Sequence, residues 1–390
     1  MHDPFTEAHT LFRKQVRSFT EREIAPHVDQ WEKDKCFPTS LFKQAGEVGV
    51  FGAHYPEDVG GAGGDFWMSI VKAEELARGG AAGVTMGLLV QADMATPCIN
   101  DLGTPEQRRE FLAPAIAGDR VAALGVSEPG AGSDVAALRT TARLVGDEYV
   151  INGAKTFITN GTRCDFVTLM VKTDPDAGHA GISIILCPSD VKGFAVSRAL
   201  EKAGNWSSDT AELFFEDVRV PKRYLLGKPG MGFVYLMQNF QSERLVGCAS
   251  GLAGAKLALD RSVEWGRERT VFGKPLIKRE YWQQKFVELY TKYEAAKALS
   301  YKAIDAYNDE KYVKGGMLSM ETTKLVSMAK AYVGDVTGEI MDQCVQFHGG
   351  MGYLEELWVA RAWRDQRLLR IGGGATEVMR YATAKIMGFG

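Results

Sequence analysis

Residues equipped for chemistry cluster in five short segments. The first, Gly125-Val126-Ser127-Glu128-Pro129-Gly130-Ala131-Gly132-Ser133-Asp134, follows an apolar run and ends in a glycine-rich turn. Small residues let backbone N–H groups approach a ligand closely, and the hydroxyls can bond a polar ring edge or a phosphate. Alone, it reads equally well as a surface loop with an Asx-type turn. In the second, Lys155–Gly161, Phe157 stands two residues before Thr159. An aromatic there can cover a flat ring while the hydroxyl reaches a ring nitrogen. The plainer reading is a β-core phenylalanine before an Asn-Gly hairpin. The third, Arg267–Leu276, is a basic break between two helical runs, suited to gripping a pyrophosphate or simply to solvation. The fourth, Gln346–Tyr353, and the fifth, Ile371–Glu377, read singly as a helix C-terminus and a flexible turn.

Other chemistries are excluded. Gly60-Gly61-Ala62-Gly63-Gly64 lacks the preceding strand of a dinucleotide-binding loop. A P-loop lysine motif is absent, and Gly247–Gly251 lacks the order of a nucleophile elbow. The six histidines are scattered without metal-ligand spacing, so no metal is expected. The six cysteines include no Cys-x-x-Cys pair, which points to a reduced intracellular protein. A net charge of -3 favours neither nucleic acid nor an anionic membrane. Interleaved charges from Glu7 to Glu23 leave no apolar core for a signal peptide. Ala81–Ile99 is broken by Gln91, Asp93 and Pro97, so it is expected to be a buried helix, not a membrane span. A cytoplasmic location follows as the default.

The elements that must position these segments change character along the 390 residues. The first third has helical periodicity: Leu11 to Ile24, Asp65 to Arg78, and a helix opened by the capping box Thr104-Pro105-Glu106-Gln107 and ending near Gly118. Then come short β-rich runs at Val121–Ser127, Ala142–Ile151, Phe166–Val171, Ile182–Cys187 and Glu212–Phe215, with Gly146-Asp147 and Asn160-Gly161 as turns. From Met231 the chain returns to four or five long helical runs. This order predicts a multidomain α+β protein: an N-terminal α-helical domain (1–120), a middle antiparallel, barrel-like β domain (121–230) and a C-terminal α-helical bundle (231–390).

Together, the five segments, with Tyr55-Pro56-Glu57-Asp58-Val59-Gly60-Gly61 and the Ser208–Val218 stretch, closely resemble the acyl-CoA dehydrogenase family over nearly the whole chain. The resemblance implies FAD as cofactor and an acyl-CoA as substrate. It implies an electron-transfer flavoprotein as electron acceptor, a homotetramer built as a dimer of dimers, and a place in fatty-acid or branched-chain acyl-CoA breakdown. It implies that Ser127 bonds the flavin pyrimidine edge and that Gly132 and Ser133 lie at the cofactor and the thioester arm. Phe157 takes a position where many members have tryptophan against the flavin, and Thr159 lies near its N5. Arg269, Phe272, Gln346 and Gly350 match residues that a neighbouring subunit places on the FAD pyrophosphate and adenosine. Thr376 and Glu377 match the far end of that site.

The sequence departs from the commonest pattern at the catalytic base. Most members carry a glutamate in the turn that here reads Gly372-Gly373-Gly374-Ala375, so Gly373 occupies the base position without a carboxylate. The isovaleryl and long-chain subgroup instead places the glutamate on a helix, where this chain has Ser242-Glu243-Arg244. Helical spacing sets Glu243 among Leu236, Phe240, Val246, Gly247 and Ser250, a carboxylate interrupting an apolar and small-residue stripe. A buried glutamate paired with a structural arginine is the bland alternative. The expected enzyme removes the α-proton through Glu243, steadies the thioester oxygen with the Gly373 amide, and contacts substrate through Ser133 and Arg244. A flavin oxidase or monooxygenase on the same fold and a non-catalytic acyl-CoA-binding protein are the rival readings.

Overall fold

The computed structural model describes residues 4–389. The chain opens with α1 (Glu7–Phe19), α2 (Val28–Asp34), α3 (Ser40–Glu47), α4 (Phe66–Ala77), α5 (Ala82–Leu89), α6 (Pro97–Leu102), α7 (Pro105–Gln107) and α8 (Ala113–Ile116). Local chemistry sets several of their ends. Asp65 accepts from the Trp67 amide and starts α4. Thr104 and Gln107 form a reciprocal capping box with Pro105 at the first helical position. The Ala81–Ile99 stretch is largely buried, but as two helices, because α5 runs through a π turn at Val90–Met94 and stops before Pro97. Its polar residues are satisfied internally. Asp93 pairs with Lys72 at 2.8 Å, both side chains shut off from solvent. Gln91 donates to the carbonyls of Ala115 and Arg120 and accepts from the Ala122 amide.

The middle of the chain forms β1 (Ala122–Gly125), β2 (Thr141–Val145), β3 (Glu148–Thr159), β4 (Phe166–Lys172), β5 (Ile182–Pro188), β6 (Phe194–Ala199), β7 (Thr210–Pro221) and β8 (Leu225–Leu226). They make one sheet of order β6-β7-β3-β2-β4-β5-β8, with β1 beside β4. Most pairings are antiparallel, as expected, but the sheet is mixed. β1 pairs with β4 in parallel, and β2 meets β4 in parallel at Thr141 and Lys172. β1 arrives from the helical domain, and the chain crosses through β2 and β3 before β4 lies beside it. Gly146, at φ +62°, turns β2 into β3 and so divides the expected Ala142–Ile151 run. β6 falls outside the expected strands, since its side chains are mostly exposed and carry no alternating apolar signal.

The last part contains α9 (Gly232–Glu268), the two-stranded hairpin β9 (Thr270–Val271) and β10 (Lys274–Pro275), then α10 (Glu280–Asn308), α11 (Met320–His348), α12 (Trp358–Gln366) and α13 (Thr376–Ile386). With 37 residues, α9 is about 55 Å long. Its Leu236, Leu245, Val246 and Ala249 join the core shared with the helical and sheet domains. Its Cys248, Leu252, Ala255 and Leu259 join the core of the C-terminal bundle. One helix therefore fixes both cores relative to each other. Among the described residues no helix is long and apolar enough to cross a membrane, and no group of three or more His, Cys, Asp or Glu could hold a metal ion.

Candidate active site

Glu243 lies in the N-terminal third of α9. One turn earlier, Asn239 donates to the Met94 carbonyl at 2.9 Å and anchors this part of the helix on the break between α5 and α6. The glycine turn before α13 folds back onto the same place: a Cβ built on Gly373 would lie 3.3 Å from Glu243 Oε1. Gly373 and Gly374 have φ of +65° and +105°, backbone that glycine adopts without a Cβ penalty. Their carbonyls are held by two buried cations. Arg244 Nε donates to Gly373 O at 3.0 Å, and Lys330 Nζ, from α11, donates to Gly374 O.

Burial raises the Glu243 carboxyl to about 7, against the opposing pull of Arg244 and Lys330. Its Oε2 is buried with no hydrogen-bond partner. Arg244 directs its hydrogen bonds to Gly373 and Gln241, so it favours the charged Glu243 through space without bonding the carboxylate. A carboxylate poised near neutrality with an open oxygen has the properties of a general base. Thr376 begins α13, buried, with its hydroxyl 3.5 Å from the Arg370 carbonyl, while Glu377 is exposed.

Ser127, Phe157 and Thr159 come together at the sheet. The Thr156 amide donates to the Ser127 carbonyl at 2.9 Å. Between Lys155 and Ile158, β3 has one residue more than β7, a bulge that re-aims the chain. Phe157 sits in that bulge at φ +62°, with its ring 70% exposed. This corrects the plainer expectation of a β-core phenylalanine. Thr159 is half-buried at the end of β3. The neighbouring loop is fastened from within by Glu128, whose carboxylate accepts from the Arg139 and Thr140 amides, the Thr140 hydroxyl and Lys155 Nζ. Gly132 and Ser133 are thereby held at an exposed tip, and a Cβ on Gly130 or Gly132 would meet nothing within 4 Å. An exposed aromatic face beside an open glycine-serine loop and a half-buried hydroxyl fits a flat ring with a polar edge, as FAD presents.

Arg269, Phe272, Gln346 and Gly350 form a third group at the far ends of α9 and α11. All four are exposed, Phe272 at 93% on the tip of the β9–β10 hairpin. Rings beneath them join the two segments: Trp265 lies 4.5 Å from His348 and 5.7 Å from Phe347, centroid to centroid. The sequence reading missed Lys330, Glu128 and Lys155. Lys330 carried the same signal as Glu243, a charge in an apolar stripe with Val326, Val333 and Thr337. The Glu128–Lys155 pair joins a loop to a bulged strand, and no spacing rule announces it.

Family models for the N-terminal, middle and C-terminal domains of acyl-CoA dehydrogenase match residues 6–119, 123–218 and 230–388, in that order. The mitochondrial long-chain specific acyl-CoA dehydrogenase of Mus musculus is 34% identical over 98% of this chain and 86% of its own length. An acyl-CoA dehydrogenase structure from Geobacillus kaustophilus is 36% identical, superposes with a TM-score of 0.93, and is covered over its full length by 99% of this chain. A glutaryl-CoA dehydrogenase from Mycobacterium smegmatis, solved with FADH2, is 25% identical with a TM-score of 0.90, over 99% of this chain and 96% of that one. Three domain models in order and relatives matched over 86% or more of their own length establish that the chain belongs to the acyl-CoA dehydrogenase family, FAD-dependent oxidoreductases that dehydrogenate acyl-CoA thioesters.

Proposed function

We propose that this enzyme converts an acyl-CoA to its trans-2-enoyl-CoA with Glu243 as the base that removes the α-proton. The observation that carries the reading is the meeting of Glu243 with the glycine turn, Oε1 lying 3.3 Å from the place a Gly373 side chain would start. The carboxylate missing from the turn is supplied from α9 at the same spot. A proton beside a thioester is weakly acidic, so its removal needs a positioned base sheltered from water. The Gly373 amide is assigned to the thioester oxygen, where negative charge grows as the proton leaves. FAD, which Ser127, Gly132, Ser133, Phe157 and Thr159 would hold, would supply the two-electron acceptor for the β-hydrogen.

Ser127, Gly132, Ser133, Phe157 and Thr159 are assigned to the flavin and the thioester arm, and Arg244 to the substrate side of the turn. Arg269, Phe272, Gln346 and Gly350, exposed together at the far end of the bundle, are assigned to the cofactor of a neighbouring copy, with Thr376 and Glu377 at the far end of that site. A homotetramer, an electron-transfer flavoprotein as acceptor, a cytoplasmic location and a role in fatty-acid or branched-chain acyl-CoA breakdown complete the proposal, as do domain boundaries near 120 and 230.

The test is anaerobic bleaching of the flavin by a panel of acyl-CoA thioesters in stopped flow. Glu243→Gln is expected to keep its fold, FAD and acyl-CoA binding, and to lose flavin reduction by ~10²-fold or more. In the wild type the rate should climb with pH through about 7, because burial holds the base protonated below that value. Wild-type bleaching in Glu243→Gln would remove the assignment.

A further inference from the structure

We propose that Lys330 is a positioning residue for this reaction: from α11 it holds the Gly374 carbonyl and sets the charge environment in which Glu243 works. The proposal rests on Glu243 being the base. Lys330 is 1% exposed, and its ammonium is directed at Gly374 O, next to the carbonyl that Arg244 holds. Successive carbonyls of one left-handed turn are thus gripped from two different helices, α9 and α11. Gly372–Ala375 carries no side chain beyond a methyl group to anchor it to its surroundings. Its place against Glu243 depends on what grips its backbone.

The electrostatics support the geometry. The charged and titratable groups facing Lys330 are Cys248, Arg244 and Glu243 of α9 and Glu377 of α13. Burial lowers the ammonium to about 8, so it remains mostly charged where Glu243 titrates. Burial likewise pushes the Cys248 thiol up to about 12, so it is neutral throughout. Glu243 faces Arg244 and Lys330, both of which favour its charged form. Both cations bond carbonyls, leaving Oε2 of Glu243 open for a proton. The arrangement tempers the effect of burial on the base without blocking it.

The test uses the FAD-loaded enzyme and the variants Lys330→Gln, which keeps a donor for the carbonyl but no charge, Lys330→Met, which keeps neither, and Lys330→Arg, which keeps both. One readout is the pH profile of anaerobic flavin reduction. The other is an infrared titration of the protonated-carboxyl stretch that Glu243→Gln abolishes, which needs no acyl-CoA turnover. Lys330→Gln and Lys330→Met are expected to move the Glu243 midpoint upward by about half a unit or more, since a nearby cation is removed. Lys330→Met should in addition lower the limiting rate at high pH by ~10-fold, because the turn loses its grip. Lys330→Arg should keep the wild-type midpoint. A midpoint unmoved in both neutral variants overturns the proposal. So does loss of fold or flavin in both neutral variants with full rescue by arginine, which would make the lysine structural. A wild type that no acyl-CoA reduces would refute the dehydrogenase reading instead, while the infrared midpoints would still report on Lys330.

Discussion

A carboxylate and a glycine far apart in the chain share one spot, Glu243 Oε1 lying 3.3 Å from where a Gly373 side chain would start. Glu243 was singled out in the sequence mostly because Ser242-Glu243-Arg244 matches the subgroup that carries its glutamate on a helix, with support from the cost of a charge on an apolar helical stripe. The same argument applied to Lys330, yet without a partner in view it had no meaning, since the Gly374 carbonyl it holds can only be seen in three dimensions. Phe157 misled in the opposite direction. Its flanking residues read as strand, but a bulge sets its side chain outward, and bulges depend on the register of β3 against β7. The pairing at the base also yields a prediction. Gly373→Glu should not raise turnover. A Cβ there starts 3.3 Å from Glu243 Oε1, and at φ +65° any non-glycine residue is strained by roughly 1–2 kcal/mol. Two carboxylates that close cannot both ionise, so one pKa should rise by about a unit or more. The pH profile of flavin reduction and the melting temperature check this. Higher turnover on the best substrate would show that the turn, not α9, is the better seat for the base.

Among elements, the long C-terminal helices and the capping box at Thr104 could be read from periodicity and cap chemistry, because those signals are local. The parallel pairing of β1 with β4 and the exposed strand β6 could not, because pairing partners and solvent-facing strands leave little trace in a single sequence. The β9–β10 hairpin shows the value of an element that packs poorly on its own chain. It carries Arg269 and the 93% exposed ring of Phe272, and it stands beside Gln346 and Gly350 over a layer of buried rings. An exposed cation and aromatic on a rigid base suit a phosphate and a flat ring brought by another copy. Arg269→Ala should therefore lower FAD affinity about tenfold or more, the loss expected for charged hydrogen bonds, and should shift sedimentation toward smaller species as flavin is lost. A variant with full flavin and an unchanged oligomer would detach this hairpin from the cofactor.

At the scale of the whole molecule, helices, then strands, then helices were readable as an order, but the junction that locks them was not, since its residues are far apart in sequence. Glu32 of α2 accepts from the Ser207 amide at 2.9 Å and from Arg364 Nη2 at 2.7 Å. Asp365 of α12 accepts from the Asn205 amide at 2.6 Å. Trp206 lies between Lys35 and Arg364, 3.0 and 3.6 Å from its ring centroid. The helical start, the β6–β7 connection and the C-terminal bundle therefore meet at one buried polar knot. Burial, with Glu32 adding repulsion, raises the Asp365 carboxyl to about 7, against the Asn205 amide and two arginines. Its unfolded value is 3.8, so between these limits the folded chain holds a proton that the unfolded chain has released. Stability from this group is full below 3.8, falls as pH rises, and is lost above about 7. Asp365→Asn keeps an oxygen for the Asn205 amide and cannot ionise. It should match the wild type near the acid end of the folded range and exceed it increasingly as pH rises toward about 7, the excess levelling off above that value at roughly 2 kcal/mol or more. Paired thermal or denaturant unfolding at about pH 5 and about pH 8, with FAD content held equal, reads the difference directly. A gap that does not change with pH would mean that Asp365 is ionised in the folded protein and that the junction is held by charge, not by a protonated carboxyl.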